Sequence, residues 1–284
     1  MSELIGFVYA FIAVITWGTF LVPFKKIKAD VYYSQFLMCL GIFIPSMIIS
    51  LFLNFPLSIT FLGLLAGIIW TVGNFLCLLA IEDIGISRAN PLWMVNILVG
   101  SAFGIVLFKE LTGFMSIVFG LAGVLCIFTG CVLIGRTRKE EEEESRKRGI
   151  AFAVLAGLFF GCTYVPLKIT GMSGSEYFFQ MSIGIILTSF IIFLLKRSVP
   201  KKLQIKKGLV SGTLWTIGNL FGAYTVAMLG MSRGFPLTQL AVLISAAWGL
   251  FYFKEFTQKK QIVRIMMSTV IILVGAFLIG LAGT

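Results

Sequence analysis

Two copies of the sequence Trp-Thr-x-Gly-Asn place an aromatic ring and an amide four residues apart in long apolar segments. Trp70 precedes Asn74, and Trp215 precedes Asn219. Residues four apart share one face of a helix, and an unpaired amide in hydrocarbon is energetically costly. An indole ring can cover the apolar C–H face of a sugar while the amide bonds its hydroxyls. The alternative is structural: Gly permits close helix packing, and Asn forms hydrogen bonds between helices.

Two further amides lie at positions where the copies differ. Asn96 in the first copy corresponds to Ala241, and Gln239 in the second copy corresponds to Met94. A substrate without internal symmetry requires contacts that differ between the copies. Asn96 and Gln239 are therefore candidates for substrate recognition, whereas positions shared by both copies also suit a common scaffold.

The remaining candidates lie nearer the ends of the apolar segments. Gln35 follows Tyr32 by three residues, and Gln180 follows Tyr177 by the same distance, so each amide shares a helix face with a phenol. Both pairs suit hydroxyl binding, but tyrosine is also common at the membrane–water interface. Trp17, in the first segment, is a candidate for the lining of a cavity.

The sequence carries no pattern typical of an enzyme, a cofactor site or a metal site. It has no histidine, and its five cysteines lie in apolar segments without metal-ligand spacing. No carboxylate lies deep in an apolar segment, although proton-coupled carriers usually hold an ionisable group there. We therefore predict no catalytic residue, no cofactor and no metal. Glu82, Asp83 and Glu176, near segment ends, are the candidates for proton coupling.

Membrane helices must position these residues, because the composition excludes a soluble domain. The 284-residue chain is 58% hydrophobic, has a mean hydropathy of +1.01 and is 12% charged, whereas soluble domains are about 25% charged. Runs of about 20 apolar residues can cross the hydrocarbon core as helices. The sequence contains ten such runs: 5–24, 33–53, 59–81, 87–108, 114–135, 149–170, 176–195, 207–229, 231–253 and 262–282.

The ten predicted spans fall into two related sets of five. Residues 63–113 align with residues 208–258 without a gap, and 19 of the 51 positions are identical. In the first spans of the two copies, Pro23 matches Pro166. The separation along the chain between Gln35 and Gln180 is two residues longer than the separation between the two prolines. This shift predicts two extra residues after the first span of the second copy.

Because five is an odd number, the second copy must enter the membrane in the opposite orientation. We therefore predict an all-α membrane protein with ten transmembrane helices in an inverted 5+5 repeat. Its first repeat comprises residues 1–135, a charged linker comprises 136–148, and the second repeat comprises 149–284. This plan is typical of secondary transporters, whose substrate site lies near the midplane between the halves.

The net charge of +11 reflects membrane topology and not a nucleic-acid surface. If both termini lie outside, 20 of the 23 lysines and arginines lie on the inner side, as the positive-inside rule expects. The linker RTRKEEEEESRKR is then cytoplasmic and typical of a solvated segment. A regulatory or metal-binding role for its five glutamates is the alternative. The predicted location is the cell membrane, with the lipid bilayer as a partner.

The whole chain resembles the drug/metabolite transporter superfamily, and within it the glucose/ribose porter family of bacterial sugar-uptake proteins. The second copy carries this resemblance in GTLWTIGN at 212–219, SRGFPLTQL at 232–240 and Lys254-Glu255. The first-copy counterparts GIIWTVGN and Lys109-Glu110, together with Trp17-Gly18, fit the same family.

This resemblance implies uptake of a monosaccharide such as glucose or ribose by alternating access, commonly with protons as the coupling ion. Uniport is the alternative, since no carboxylate lies deep in a span. Export of an amino acid or a drug-like metabolite by the same fold is a second hypothesis. A membrane scaffold or receptor that transports nothing is a third. The sequence predicts no particular oligomeric state.

Overall fold

The fold is all-helical, as predicted. The computed structural model describes residues 2–24, 30–84, 89, 92–135, 143–196, 202–252 and 258–282, and no strand occurs in these ranges. Within them, six helices are long and apolar enough to cross a membrane. Three shorter helices are also apolar: Glu3–Thr19, Val95–Leu107 and Gly234–Ser245. Most of the predicted linker, 136–142, and the pair Lys254-Glu255 lie outside the described residues.

We number the described helices in chain order. The first copy contains α1 (Ser2–Thr19), α2 (Val31–Phe52), α3 (Phe61–Ile84), α4 (Val95–Ala102, continued by a π-helical turn at Phe103–Leu107) and α5 (Phe114–Gly135). The second contains α6 (Glu143–Cys162), α7 (Val165–Thr170), α8 (Gly174–Leu195), α9 (Lys202–Leu229), α10 (Gly234–Thr238), α11 (Ala241–Ala247, continued by a π-helical turn at Trp248–Tyr252) and α12 (Lys259–Leu281).

Each copy packs one long helix among helices of the other copy. α3 contacts α6 and α8, whereas α9 contacts α1 and α2. Glycines permit the close approach: a Cβ atom at Gly67 on α3 would overlap the carbonyl oxygen of Met181, and one at Gly212 on α9 would overlap that of Met38. Small residues at such crossings are the usual means of tight helix packing in membranes. The two copies therefore share one interleaved core.

The caps of α2 and α8 show how these two helices correspond. The Asp30 carboxylate accepts a hydrogen bond from the backbone N–H of Tyr33 (3.2 Å), and the Ser173 hydroxyl accepts one from that of Glu176 (3.2 Å). Such caps satisfy N–H groups that the first helical turn leaves without partners. The number of residues between Asp30 and Ser173 equals the number between Pro23 and Pro166, the matched prolines of the first spans.

The same spacing holds deeper in these two helices. Met38 and Met181 occupy matching contacts with Gly212 and Gly67, and they are as far apart in the chain as the two caps. The prediction that the two extra residues follow the first span was therefore wrong, because the extra residues come after Met181. Helix register here follows the caps and the glycine contacts, and not the match between the two glutamines.

Prolines interrupt the first helix of each copy at the same place. α1 ends at Thr19, four residues before Pro23, and α6 ends at Cys162, four residues before Pro166. Proline has no N–H to donate to the carbonyl four residues earlier, so the regular helix stops there. The short irregular segments that follow, 20–21 and 163–164, lie beside the cavity described below.

The outer surface of the described helices is strongly apolar. Phe52, Phe61 and Phe114 are 83%, 73% and 79% exposed. Exposed apolar surface of this extent indicates an environment other than water. These side chains are positioned to face lipid.

Candidate functional site

A cavity of about 110 Å³ lies between the two copies, and side chains from both copies line it. Its wall combines α1, α3 and the α4 region of the first copy with α6, α9, α10 and α11 of the second. Seven of the residues singled out from the sequence line this cavity: Trp17, Trp70, Asn74, Asn96, Trp215, Asn219 and Gln239. The structure thus brings together side chains from opposite ends of the chain.

Four aromatic rings form a continuous row along the cavity. Trp70 and Trp215 meet at its centre, with ring centroids 4.2 Å apart. Trp17 lies 6.4 Å from Trp215, and Phe160 lies 6.4 Å from Trp70. Because Trp17 and Phe160 are corresponding residues of the two copies, the row runs in the same order from either end. The rings are tilted by 28–48° against their neighbours, so the row is an apolar wall in which single rings can cover the C–H face of a sugar.

Glycines on α3 and α9 leave room for the outer rings of this row. A Cβ atom at Gly218 would overlap the indole of Trp17, and one at Gly73 would lie 3.2 Å from the ring of Phe160. The glycine of the Trp-Thr-x-Gly-Asn sequence therefore seats an aromatic ring from the other copy. Its role is a close approach between side chain and backbone, for which glycine is suited.

Asn74 is held from behind by α2. Its Nδ2 donates to the Oε1 of Gln35 (2.5 Å) and lies 4.0 Å from the sulfur of Met38. Gln35 is fully buried, and its Nε2 donates to the backbone carbonyl of Thr71 and to the sulfur of Cys39, both at 3.4 Å. Gln35 does not line the cavity, so the structure places it behind a lining residue instead of at the wall.

The side chain of Asn219 makes longer and weaker hydrogen-bond contacts than that of Asn74. Its Nδ2 lies 3.5 Å from the sulfur of Met181, and its Oδ1 accepts a hydrogen bond from the hydroxyl of Tyr164 at 3.4 Å. Gln180 is not beside it: the Oε1 of Gln180 accepts bonds from the backbone N–H (2.9 Å) and hydroxyl (2.6 Å) of Thr60. Gln180 therefore lies outside the cavity wall and supports the start of α3.

Asn96 and Gln239 meet across the two copies. The Nδ2 of Asn96 donates to the Oε1 of Gln239 at 3.0 Å, and the Nε2 of Gln239 donates to the hydroxyl of Thr238 at 3.1 Å. The Oδ1 of Asn96 is buried and has no partner in the described part of the chain. A buried amide oxygen without a partner is energetically costly.

The three candidate coupling carboxylates do not line the cavity. Glu82 is exposed, and Asp83 forms an ion pair with Arg148 at 2.5 Å. Glu176 completes the cap of α8, since its carboxylate accepts from the backbone N–H of Ser173 at 2.8 Å. Each of the three has a surface position or a structural partner.

A different carboxylate, Glu110, joins the two copies away from the cavity. It pairs with the ammonium of Lys168 at 2.8 Å and accepts backbone N–H bonds from Met231 (3.0 Å) and Ser232 (2.7 Å). Burial acts to raise the pKa of Glu110, but the hydrogen bonds from Lys168, Ser232 and Met231 outweigh burial and hold this pKa below its usual range. The left-handed conformation of Gly230 (φ 81°) brings its backbone against the carboxylate.

Several lining residues were not singled out from the sequence. Tyr164 and Thr163 follow the helix break before Pro166, and Phe160, Trp93 and Phe235 complete the apolar wall. Phe160 was identifiable as the counterpart of Trp17 in the repeat. Tyr164 had no such signal, because its counterpart Leu21 is apolar.

The sequence matches known proteins over almost its whole length. The family model described as "Sugar transport protein" matches residues 8–282. The glucose uptake protein GlcU of Bacillus subtilis is 25% identical over 97% of this chain and 98% of its own. A putative sugar uptake protein of Listeria innocua is 27% identical over 96% of this chain and 97% of its own.

Similarity of structure is equally extensive. One solved crystal structure superimposes with a TM-score of 0.73 and covers 99% of this chain and 98% of that one. Its sequence identity is 16%, so this match shows a shared fold and nothing about the substrate.

Proposed function

Since the chain belongs to the sugar transport protein family, we propose that it moves a small neutral monosaccharide of the glucose or ribose type across the membrane by alternating access. It is a multi-pass membrane protein, and its relatives bear the names of glucose and sugar uptake proteins. The observation that carries the proposal is the cavity between the copies, which an aromatic row and four amides line together.

The chemistry of the cavity wall suits a neutral polyol. Its polar groups are the side chains of Asn74, Asn96, Asn219 and Gln239, together with a few hydroxyls, and no Lys, Arg, Asp or Glu is among the described lining residues. A carboxylate or phosphate on the substrate would require a positive partner to offset its desolvation. Hydroxyls require only acceptors and donors of the kind the amides supply. These features support a sugar over a sugar phosphate or an amino acid.

The proposal includes the architecture predicted from the repeat. Ten spans form two halves of opposite orientation, residues 1–135 and 149–284, with the linker 136–148 in the cytoplasm and both termini outside. The matching contacts of α3 and α9 with helices of the other copy support this plan. In such carriers the halves move relative to each other around a central site.

The positions of the carboxylates favour uniport over proton symport. Glu82, Asp83 and Glu176 lie outside the described cavity wall, and Asp83 and Glu176 already have partners. A proton that binds at these positions has no direct contact with the substrate. Proton symport is the alternative that the transport experiment distinguishes.

Radiolabelled glucose and ribose uptake into proteoliposomes tests the proposal, with and without an inward proton gradient. We expect saturable uptake that only equilibrates, and an unchanged final level when the gradient is imposed. Accumulation above equilibrium under the gradient would establish symport instead. Absence of saturable uptake of any monosaccharide by folded protein would contradict the proposed function.

A further inference from the structure

We propose that Gln35, which lies behind the cavity wall, fixes the amide of Asn74 so that its oxygen Oδ1 faces the cavity and accepts a hydrogen bond from one sugar hydroxyl. This inference rests on the proposed function and assigns Gln35 a positioning role without contact to the substrate. It also assigns Asn74 the role of hydrogen-bond acceptor towards the sugar.

The backbone of α3 determines the orientation of Gln35. The carbonyl oxygen of Thr71 can only accept a hydrogen bond, and it lies 3.4 Å from the Nε2 of Gln35. The amide nitrogen of Gln35 must therefore point at Thr71, and its oxygen must point away. The sulfur of Cys39, also 3.4 Å from this nitrogen, is a second weak acceptor on the same side. Full burial of Gln35 excludes water as a replacement partner.

The orientation of Gln35 then determines that of Asn74. The Oε1 of Gln35 lies 2.5 Å from the side chain of Asn74, so Asn74 must present its donor nitrogen there. The sulfur of Met38, 4.0 Å from the same nitrogen, is only a weak acceptor for its second hydrogen, so the bond to Gln35 is the one that fixes the amide. Both hydrogens of Nδ2 are thus directed at α2. The Oδ1 of Asn74 accepts no hydrogen bond from the described residues, and because Asn74 lines the cavity, we place this oxygen at the cavity wall.

Asn219 lacks this control, although it stands at the same position of the second copy. Its contact with the sulfur of Met181 is weak, and the hydroxyl of Tyr164 can either donate or accept. Reversal of the Asn219 amide when a substrate binds therefore costs only the weak contact with Met181. The cavity consequently has one fixed acceptor and one adaptable amide, which allows a sugar without internal symmetry to bind in a single orientation.

The test is competition of labelled glucose uptake by analogues in which each hydroxyl is replaced in turn by hydrogen or by fluorine. Fluorine cannot donate a hydrogen bond. Replacement of the hydroxyl that donates to Asn74 should therefore weaken the analogue as an inhibitor of uptake by the wild-type protein. We expect the same loss of about tenfold for hydrogen and for fluorine. The variant Asn74→Ala identifies this position, because the same two analogues should lose no further affinity in it.

The variant Gln35→Met removes the hydrogen bonds but keeps an unbranched buried side chain. Asn74 is then free to present its nitrogen, so at the identified position the fluoro analogue should inhibit at least about threefold better than the deoxy analogue. Gln35→Glu, whose carboxyl group offers an acceptor to Asn74 in either protonation state, should retain the wild-type ratio. Gln180→Met is the matched control, because Gln180 is also buried but bonds Thr60.

An unchanged analogue ratio in Gln35→Met, or an equal change in Gln180→Met, would overturn the assignment of Gln35 while leaving the proposed function in place. If Gln35→Met yields no folded protein, the same analogue ratio is measured in Gln35→Thr and compared with the wild-type series. Fluorine that inhibits better than hydrogen at every position of the wild-type series would show that no hydroxyl donates to Asn74. Wild-type protein that transports no sugar would overturn the proposed function and this assignment together.

Discussion

Asn74 and Asn219 end identical Trp-Thr-x-Gly-Asn sequences, yet they lie in different environments. Asn74 has a short hydrogen bond to a buried glutamine, whereas Asn219 has a sulfur atom at 3.5 Å and a phenol at 3.4 Å. The tryptophans of the same two sequences contact each other, and each has one further aromatic neighbour, Phe160 for Trp70 and Trp17 for Trp215. The repeat therefore builds a symmetric aromatic centre with an asymmetric polar lining.

The difference arises on α2 and α8, which support the two asparagines. The caps and glycine contacts of these helices match Gln35 with Phe178, and they place Gln180 where the first copy has Leu37. A shift of two residues moves a side chain by about 200° around a helix. The amides therefore face different neighbours, although the local sequences around them look alike.

The largest expected effect tests the symmetric part. Trp70→Ala and Trp215→Ala should each lower the free energy of unfolding in detergent by about 3–5 kcal/mol, because both rings are buried and leave similar cavities. The double variant should lose less than the sum, since the rings touch. Denaturant unfolding measures this, with Phe11→Ala as a control because Phe11 is 64% exposed. Single-variant losses that differ by more than about 2 kcal/mol would contradict the symmetry.

A second substitution tests the joint between the copies. Glu110→Gln should lower the free energy of unfolding by about 2–3 kcal/mol. It removes the negative charge that pairs with Lys168 and accepts hydrogen bonds from two backbone N–H groups. The control Glu176→Gln, at an exposed cap, should cost under about 1 kcal/mol. Unfolding in detergent at pH 7 compares the two variants, and equal losses would show that the Glu110 joint contributes nothing beyond a surface contact.

The same joint predicts a pH dependence. The pKa of Glu110 is lowered in the folded state, so its contribution is complete above its unfolded pKa of about 4.3 and is lost as the pH falls through the folded pKa. The stability difference between wild type and Glu110→Gln should therefore shrink below about pH 4. A difference that stays constant from pH 7 to pH 3 would exclude the charge as its cause.

The two asparagines should differ in their contribution to stability. Asn74→Ala leaves the Oε1 of Gln35 buried without its partner and should cost about 1–3 kcal/mol. Asn219→Ala removes only the two longer contacts and should cost less than about 1 kcal/mol. Comparison of their unfolding midpoints checks this, and an equal cost would indicate that Gln35 does not constrain Asn74.

The smallest effect concerns the caps of α2 and α8. Asp30→Ala and Ser173→Ala should each cost about 1 kcal/mol, since each removes a hydrogen bond to an N–H group of the first turn. Both effects should decrease in acid, because Ser173 also donates its hydroxyl to the Glu176 carboxylate at 2.8 Å, and this bond weakens when the carboxylate is protonated. Burial acts to raise the pKa of Asp30, but hydrogen bonds from Lys196 and Tyr33 outweigh burial and lower it. A cost of either substitution that stays constant from pH 7 to pH 3 would show that its carboxylate does not contribute to the cap.

Residue type and repetition were sufficient to identify much of the cavity wall. Trp70, Asn74 and their counterparts stood out because tryptophan and asparagine are unusual in the middle of an apolar span. Gln35 and Gln180 are candidates for hydroxyl binding from the sequence, but neither lines the cavity. Their positions depend on helix register, which a short match between two tyrosines and two glutamines could not establish. Tyr164 was missed because its orientation depends on a helix break and not on its own spacing.

The sequence by itself determined that the chain is a helical membrane protein with two related halves, because hydrophobic length and identity at a constant spacing are local properties. Only the tertiary structure decided which parts of which helices meet. Glycines such as Gly67 and Gly212 bring helices of different copies into contact, and these contacts set the register of α2 and α8. That register decides which amide is fixed and which is free, because a hydrogen bond depends on where two side chains meet in space.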